Sequence, residues 1–291
     1  MTLIKPEEHT RAYVKVQDGC NNFCSYCIIP YTRGRIRSRK LADVICEIEG
    51  LAARGIKEVV ITGINLSSYY DEDGADLLTL LKRVSDIQGI CRIRMGSLEP
   101  RIITEEFLEG IYRNEKICPH FHLSLQSACN ETLKRMNRKY TIEEYMEKCQ
   151  LIRSYYDRPA ITTDIIVGFP GETEEEFEVT KANLEALRLY EMHIFKYSIR
   201  NGTVAATMPN QVPDDIKDER SNVLMEIASK HKLKFEESFR GERIKILVEE
   251  YDKDEKGCYI KGHTDRYIHV RIPMEESFCK DNINKLIEIE Y

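Results

Sequence analysis

Arg11-Ala-Tyr-Val-Lys-Val-Gln17 runs directly into Asp18-Gly-Cys20-Asn-Asn-Phe-Cys24-Ser-Tyr-Cys27. The first piece sets Ala12, Val14 and Val16 on one side and Arg11, Lys15 and Gln17 on the other, the period of two of a half-buried strand. The second piece places three thiols at C-x3-C-x2-C spacing in the loop that follows. Three thiolates this close can share one polynuclear site. A 4Fe–4S cluster ordinarily takes four cysteine ligands, so a triplet leaves one iron open to a small molecule. An open iron can chelate the amino and carboxylate groups of S-adenosylmethionine, and an electron from the cluster can then release a 5′-deoxyadenosyl radical. The rival reading is zinc. Structural zinc wants a fourth ligand, commonly from a second CxxC or a pair of histidines, and neither pattern follows. Cys46, Cys91, Cys118, Cys129, Cys149, Cys258 and Cys279 are scattered and read as small buried apolar residues.

Outward from this loop, short β-branched runs alternate with amphipathic stretches. Strands are expected at Arg11–Gln17, Glu58–Thr62, Cys91–Met95, His120–Leu125, Ala160–Val167 and Met192–Tyr197. Helices are expected at Leu41–Ala53, Leu77–Val84, Thr104–Tyr112, Ile142–Ser154 and Glu174–Leu189. Strand-then-helix units in series imply parallel strands with right-handed crossovers. The class is therefore α/β, as a barrel or an open doubly wound sheet. Residues 201–213 read as an extended connection, and Asp214–Phe239 as one long charged helix. From Gly241 the period shortens. Strands at Ile244–Val248, Cys258–Lys261, Ile268–Ile272 and Leu286–Ile289 predict a small appended β-barrel. The expected division is a linker remnant at 1–10, a core at 11–238 and a β module at 239–291.

The 291 residues are 42% hydrophobic and 32% charged, which supplies a core and excludes a disordered chain. The net charge of −6 excludes a protein coated in positive charge but leaves room for a local basic patch. No apolar run approaches the ~20 residues of a membrane span. Met1-Thr-Leu-Ile-Lys-Pro-Glu-Glu8 has no apolar secretory core. The expectation is a cytoplasmic protein with reduced thiols and no membrane partner.

Cys20-x3-Cys24-x2-Cys27 with Phe23 and Tyr26 resembles the signature of radical S-adenosylmethionine enzymes. The continuation through Ile28-Ile-Pro-Tyr-Thr-Arg-Gly34 and Arg35-Ile-Arg-Ser-Arg39 is similar to the methylthiotransferase family. So are Ser97-Leu-Glu-Pro100, Leu123-Ser-Leu-Gln-Ser127, Leu133-Lys-Arg-Met-Asn-Arg138, Thr163-Asp-Ile-Ile-Val-Gly-Phe-Pro-Gly-Glu172 and Tyr197-Ser-Ile-Arg-Asn-Gly-Thr203. Gly262-His-Thr-Asp-Arg-Tyr267 looks most like the branch acting on threonylcarbamoyladenosine in tRNA. The resemblance runs from Arg11 to the end.

It implies a partial (βα)6 barrel followed by an RNA-binding β module called TRAM. It implies a 4Fe–4S cluster on Cys20, Cys24 and Cys27, and methylthio transfer to C2 of N6-threonylcarbamoyladenosine at position 37. Isopentenyladenosine, or a ribosomal-protein aspartate, is the alternative acceptor; a zinc-stabilised RNA-binding module without catalysis is the alternative class. Implied partners are the tRNA anticodon stem-loop, an electron donor such as a flavodoxin or ferredoxin, and a sulfur donor. The family also carries a second 4Fe–4S cluster on three cysteines of an N-terminal domain. Only nineteen residues precede Cys20 here, none of them cysteine. The expectation is a fragment of a longer protein, incomplete for full turnover.

For S-adenosylmethionine the resemblance points to Tyr26 and to Thr62, Gly63 and Asn65 at the end of the second strand; an ordinary strand-to-helix turn explains the last three equally well. Glu99, Ser124 and Gln126 stand at carboxyl ends of strands, where ligands collect, with a satisfied core hydroxyl as the plain reading of Ser124. Gly168 and Gly171 suit a close backbone approach to the adenosine, or simply a capped helix start at Thr173. Asp164 is either a buried ion-pair partner or faces substrate. Arg33, Arg35, Arg37, Arg39 and Lys40 form one basic run, and Lys134, Arg135, Arg138 and Lys139 another. Both are expected near the barrel mouth, as phosphate contacts or as a solvated face. Residues 242–291 hold nine Lys/Arg against twelve Asp/Glu. RNA contact there would rest on Lys261, His263, Arg266, Tyr267 and Arg271.

Overall fold

The computed structural model describes residues 10–291. The first half runs β1 (Arg11–Asp18), α1 (Ile29–Thr32), β2 (Arg37–Ser38), α2 (Leu41–Ala53), β3 (Glu58–Gly63), α3 (Leu77–Ser85), β4 (Arg92–Met95) and α4 (Glu105–Ile111). The core continues through β5 (His120–His122), α5 (Asn130–Arg135), α6 (Ile142–Tyr155), β6 (Ala160–Val167), α7 (Glu174–Leu187), β7 (Glu191–Lys196) and α8 (Asp214–Glu237). The last segment is β8 (Arg243–Asp254), β9 (Gly257–Thr264), β10 (His269–Met274), α9 (Glu276–Asp281) and β11 (Leu286–Glu290).

β1, β3 and β4 are parallel neighbours, as are β5, β6 and β7. Single bridges Ile93↔Ile117 and Leu98↔Leu123 carry the curve from one set to the other. No pairing joins β7 back to β1 among the described residues, so the six strands form an open barrel. The fold is the α/β partial barrel expected. Val14, Val16, Val59, Ile61, Ile93, Phe121, Leu123, Ile161 and Ile165 pack outward against Val44, Ile48, Leu80, Leu81, Leu108 and Leu184 of the helices. By alternation, Gln17, Thr62, His122, Thr162 and Asp164 face the interior. Thr104, Thr141 and Thr173 cap α4, α6 and α7 with side-chain oxygens, the last as expected.

Two differences have local causes. The fourth expected strand is continuous only over His120–His122; beyond it Leu123 and Gln126 pair as single bridges, and the Leu125 amide donates to the Thr163 hydroxyl in place of a backbone carbonyl. A two-residue β2 pairs antiparallel with the end of β1, Gln17 to Ser38, and brings Arg33–Arg39 back over the cysteine loop.

The terminal strands form one antiparallel sheet in the order β10-β9-β8-β11, the TRAM-like module expected. Its core of Ile246, Val248, Ile260, Ile268 and Val270 also takes in Ala160, Tyr190 and Phe239. The sheet closes the end of the barrel opposite the cysteines. Arg92 donates to the carbonyls of His263 (2.7 Å) and Lys245 (2.8 Å), and Arg94 to those of Asp265 (2.9 Å) and Thr264 (3.2 Å). Glu58, fully buried, accepts from Arg11 at 2.5 Å and Arg94 at 3.1 Å. Burial alone would raise its pKa, but Arg94 and then Arg11 outweigh burial and hold it below the usual carboxylate range.

Candidate active site

The cysteine loop is tied down at both ends. Gly19 sits at φ +74°, and an added Cβ would lie 2.0 Å from the Arg35 carbonyl oxygen, so only glycine fits. Buried Gln17 donates to the carbonyls of Asp18 (2.9 Å) and Gly19 (2.7 Å) and accepts from the Asn65 amide at 2.8 Å. Further on, Ser25 donates through its amide to the Met136 carbonyl and through its hydroxyl to that of Arg135. Asn137, at φ +59°, donates to the Phe23 carbonyl at 2.9 Å. The turn after α5 thus forms a bracket beneath the loop.

Cys20, Cys24 and Cys27 line one cavity of about 160 Å³ with Asn22, Tyr26, Asn65, Ser97, Glu99, Ser124, Gln126 and Arg138. Each sulfur has an N–H nearby. The Asn22 amide donates to Cys20 Sγ at 3.4 Å, Arg138 Nη1 to Cys24 Sγ at 3.2 Å, and the Ile29 amide reaches Cys27. Burial pushes the Cys20 and Cys27 thiols up, beyond what those amides recover. The thiols therefore keep their protons until a cation displaces them.

This donor set suits an iron–sulfur cluster: three soft sulfurs with N–H groups aimed at them and, among the described residues, no histidine or fourth cysteine on the cavity wall, while the Glu99 carboxylate there is held by Arg138. Asn65 adds a second observation. Its Oδ1 is buried on the cavity wall without a hydrogen-bond partner, and its Nδ2 lies 4.0 Å from Cys20 Sγ. An orphaned acceptor beside an incomplete sulfur set fits a ligand carrying an N–H, such as the amino group of S-adenosylmethionine.

Of the residues expected around S-adenosylmethionine, Tyr26, Asn65, Glu99, Ser124 and Gln126 meet at this cavity. Thr62 and Gly63 do not line it. The bare face of Gly63 instead admits Gln17, whose Cβ would be 2.9 Å from an added Cβ. Gly168 and Gly171 do not line it either. Their bare faces are covered by Lys217, 2.2 Å from where a Cβ would stand, and by Arg135 at 3.3 Å. Thr173 caps α7 just beyond them.

The basic runs divide. Arg33, Arg35, Arg37 and Lys134 are exposed, and Arg35 stacks 4.8 Å over the Phe23 ring at the mouth. Arg39 is half taken by Glu47. Arg138 leaves the RNA group: its side chain is only 5% exposed and bridges Cys24, Glu99 (2.9 Å) and the Ser124 carbonyl (3.1 Å). Arg135 pairs with Glu176. Arg266 donates to the carbonyls of Asp157 and Arg158, and Tyr267 lies beneath the guanidiniums of Arg11 and Arg94. Both contribute to the seam between core and sheet. Lys261 is paired with Glu250 and Asp252. Sequence reasoning missed Gln17, Asn137 and Tyr140, the last donating to the Leu125 carbonyl at 2.9 Å. The one available signal was Gln17 itself, a polar residue between Val16 and Asp18 just ahead of the cysteine loop.

A thiol triplet at the carboxyl end of the first strand of an open parallel barrel defines a class, and sequence comparison agrees. The Radical SAM superfamily matches residues 14–183, and the chain belongs to it. Its fold is like that of the radical S-adenosylmethionine methyltransferase TsrM from Kitasatospora setae, with a TM-score of 0.57 at 21% identity over 67% of this chain and 38% of that one. Within the superfamily it is similar to tRNA-2-methylthio-N(6)-dimethylallyladenosine synthase of Thermoanaerobacter pseudethanolicus, 44% identical over 91% of this chain and 57% of the relative. It is also similar to threonylcarbamoyladenosine tRNA methylthiotransferase MtaB of Chlamydia pneumoniae, 40% identical over 97% of this chain and 65% of the relative. The chain spans about three fifths of the length of such relatives.

Proposed function

We propose that this chain is the radical core and RNA module of a tRNA methylthiotransferase acting on C2 of N6-threonylcarbamoyladenosine at position 37. The carrying observation is the three-thiol cavity with its N–H donors at the open end of the barrel. Similarity to methylthiotransferases over nearly the whole chain, the sheet included, supports the substrate class. Cys20, Cys24 and Cys27 would hold a 4Fe–4S cluster, which with S-adenosylmethionine supplies the 5′-deoxyadenosyl radical. Asn65, Glu99, Ser124 and Gln126 orient the methionine and ribose, and Arg138 keeps Cys24 and Glu99 in register. Exposed Arg33, Arg35, Arg37 and Lys134 meet anticodon phosphates. An electron donor of flavodoxin or ferredoxin type and a sulfur donor complete the system.

The threonylcarbamoyl reading draws on the Gly262–Tyr267 segment and on Arg200, exposed and close enough to the cysteine loop to stabilise the Cys27 thiolate, where a guanidinium can take a substrate carboxylate. A dimethylallyl acceptor is the second reading. The relatives at 41–44% identity favour it, and so do the half-exposed Ile199 and Val204 of the segment against that loop.

Nucleoside mass spectrometry of tRNA from a strain lacking the gene tests both. Loss of the methylthio group from threonylcarbamoyladenosine, restored by the wild-type gene but not by Cys24→Ala, is expected. Loss from the dimethylallyl nucleoside instead transfers the assignment to the second reading.

A further inference from the structure

Beneath the thiol cavity the barrel interior carries a second convergence of donors. His122 ends β5, Asp164 lies in the middle of β6 and His193 in β7. His122 pairs in register with Thr162, and Asp164 with His193. Alternation puts all three on the face turned from the helices, since Ile161 and Ile165 occupy the other. One ligand atom from each lies within 4.8 Å of the others. His122 Nε2 and Asp164 Oδ2 are 3.4 Å apart, while the His122 and His193 rings stack at 5.9 Å between centroids.

We propose that His122, Asp164 and His193 bind a divalent transition-metal ion of borderline softness, separate from the thiol site. Two ligands each about 2.1 Å from a tetrahedral ion stand about 3.4 Å apart, which is the His122–Asp164 spacing. His122 Nδ1 is held by Thr162 Oγ1 at 2.9 Å, and Thr162 is buried, so the ring is oriented with Nε2 toward the site. An outer partner of this kind typically accompanies a histidine ligand. Among the described residues no lysine or arginine pairs with Asp164, and His193 makes no side-chain hydrogen bond. Two imidazoles and one carboxylate select zinc, iron(II) or cobalt(II) over magnesium or calcium. Three protein ligands leave at least one position open to the interior for a lone-pair donor. Ser124, two residues beyond His122 on the same face, lines the thiol cavity, about 7 Å up the strand. The site therefore underlies the radical site without sharing a ligand with it.

The test uses the full chain carrying Cys20→Ser, Cys24→Ser and Cys27→Ser, titrated with Co²⁺ and competed with Zn²⁺. One Co²⁺ per chain is expected, with ligand-field bands and without sulfur-to-cobalt charge transfer. His193→Ala and Asp164→Asn should each weaken Co²⁺ binding at least about tenfold, and Thr162→Val about 10–100-fold, with the unfolding midpoint of His193→Ala unchanged because that ring is exposed. A parallel measurement on the wild-type chain, iron–sulfur-reconstituted so that its thiols are occupied, should show the same extra Zn²⁺ equivalent, lost in His193→Ala. Failure to bind Co²⁺ stoichiometrically in both preparations, or binding unaffected by His193→Ala, overturns the proposal and leaves the three groups as a hydrogen-bonding wall.

Discussion

At the scale of the residue, Arg138 couples the most chemistry. One guanidinium donates to Cys24 Sγ, the Glu99 carboxylate and the Ser124 carbonyl, while its Nε donates to Tyr140 at 2.9 Å. Burial works against its charge, but Tyr140, Tyr26, Glu99 and Cys24 together more than compensate, so it stays protonated at any working pH. Breaking one side of a buried pair costs about 3–5 kcal/mol. Arg138→Ala should therefore lower the unfolding free energy by roughly that amount and cut the iron retained after anaerobic reconstitution well below wild type. Arg138→Lys keeps the charge but not the fork, and should recover stability in part while leaving Glu99 or Cys24 without its donor. Urea unfolding and iron content measure both. An Arg138→Ala chain of unchanged stability and iron content would contradict the role.

At the scale of the element, the cysteine loop is shaped by what it leans on. The bracket after α5 holds Phe23 and Ser25, and the return through β2 sets the Arg35 carbonyl against Gly19. Gly19→Ala combines a positive φ with a contact of 2.0 Å to backbone, which no side chain can relieve by rotating. The strain, of order 1–3 kcal/mol, falls on the loop and not on the barrel core. The expected result is a folded chain, with far-ultraviolet circular dichroism like wild type, that loses most of its iron-binding capacity. Gly241→Ala is the control, because its φ is also positive but nothing stands within 4 Å of an added Cβ. Equal iron loss in both variants would refute the steric account.

At the scale of the whole molecule, Glu58 joins the barrel floor to the terminal sheet. Arg11 reaches both Glu58 and Glu249, and Arg92 and Arg94 extend to backbone carbonyls of the sheet. The Glu58 pKa is depressed in the fold, so the folded state binds fewer protons than the unfolded one. Its stabilisation is complete above the unfolded carboxyl value of about 4.3 and fades as pH falls through the lower folded value. Glu58→Gln should cost about 3–5 kcal/mol at neutral pH by leaving the guanidiniums without their buried counter-ion. It should also flatten the acid limb of the stability curve. Urea midpoints across pH 3–7 read both effects, and an acid limb as steep as wild type would place the linkage elsewhere.

Local spacing carried much of this protein. The triplet Cys20, Cys24 and Cys27, the alternation of Ala12, Val14 and Val16, and the cap Thr173 are patterns within a few residues, and such patterns need no knowledge of the rest of the chain. The partners of those residues were another matter. Arg138 meets Cys24 across 114 positions, and Arg92 meets His263 across 171. Whether a cation lies in solvent, in a seam or under a cluster depends on which surfaces the crossovers bring together, and charge runs look alike in all three places. At Gly168 and Gly171 the side a Cβ would occupy is taken by Lys217 and Arg135, contacts no local pattern foretells. The sequence by itself determined the thiol site and the order of strands and helices, because both are set by short-range periodicity. Only the tertiary structure decided which cations guard the mouth and which lock the two parts together, and that His122, Asp164 and His193 meet, because those are facts of register between distant strands.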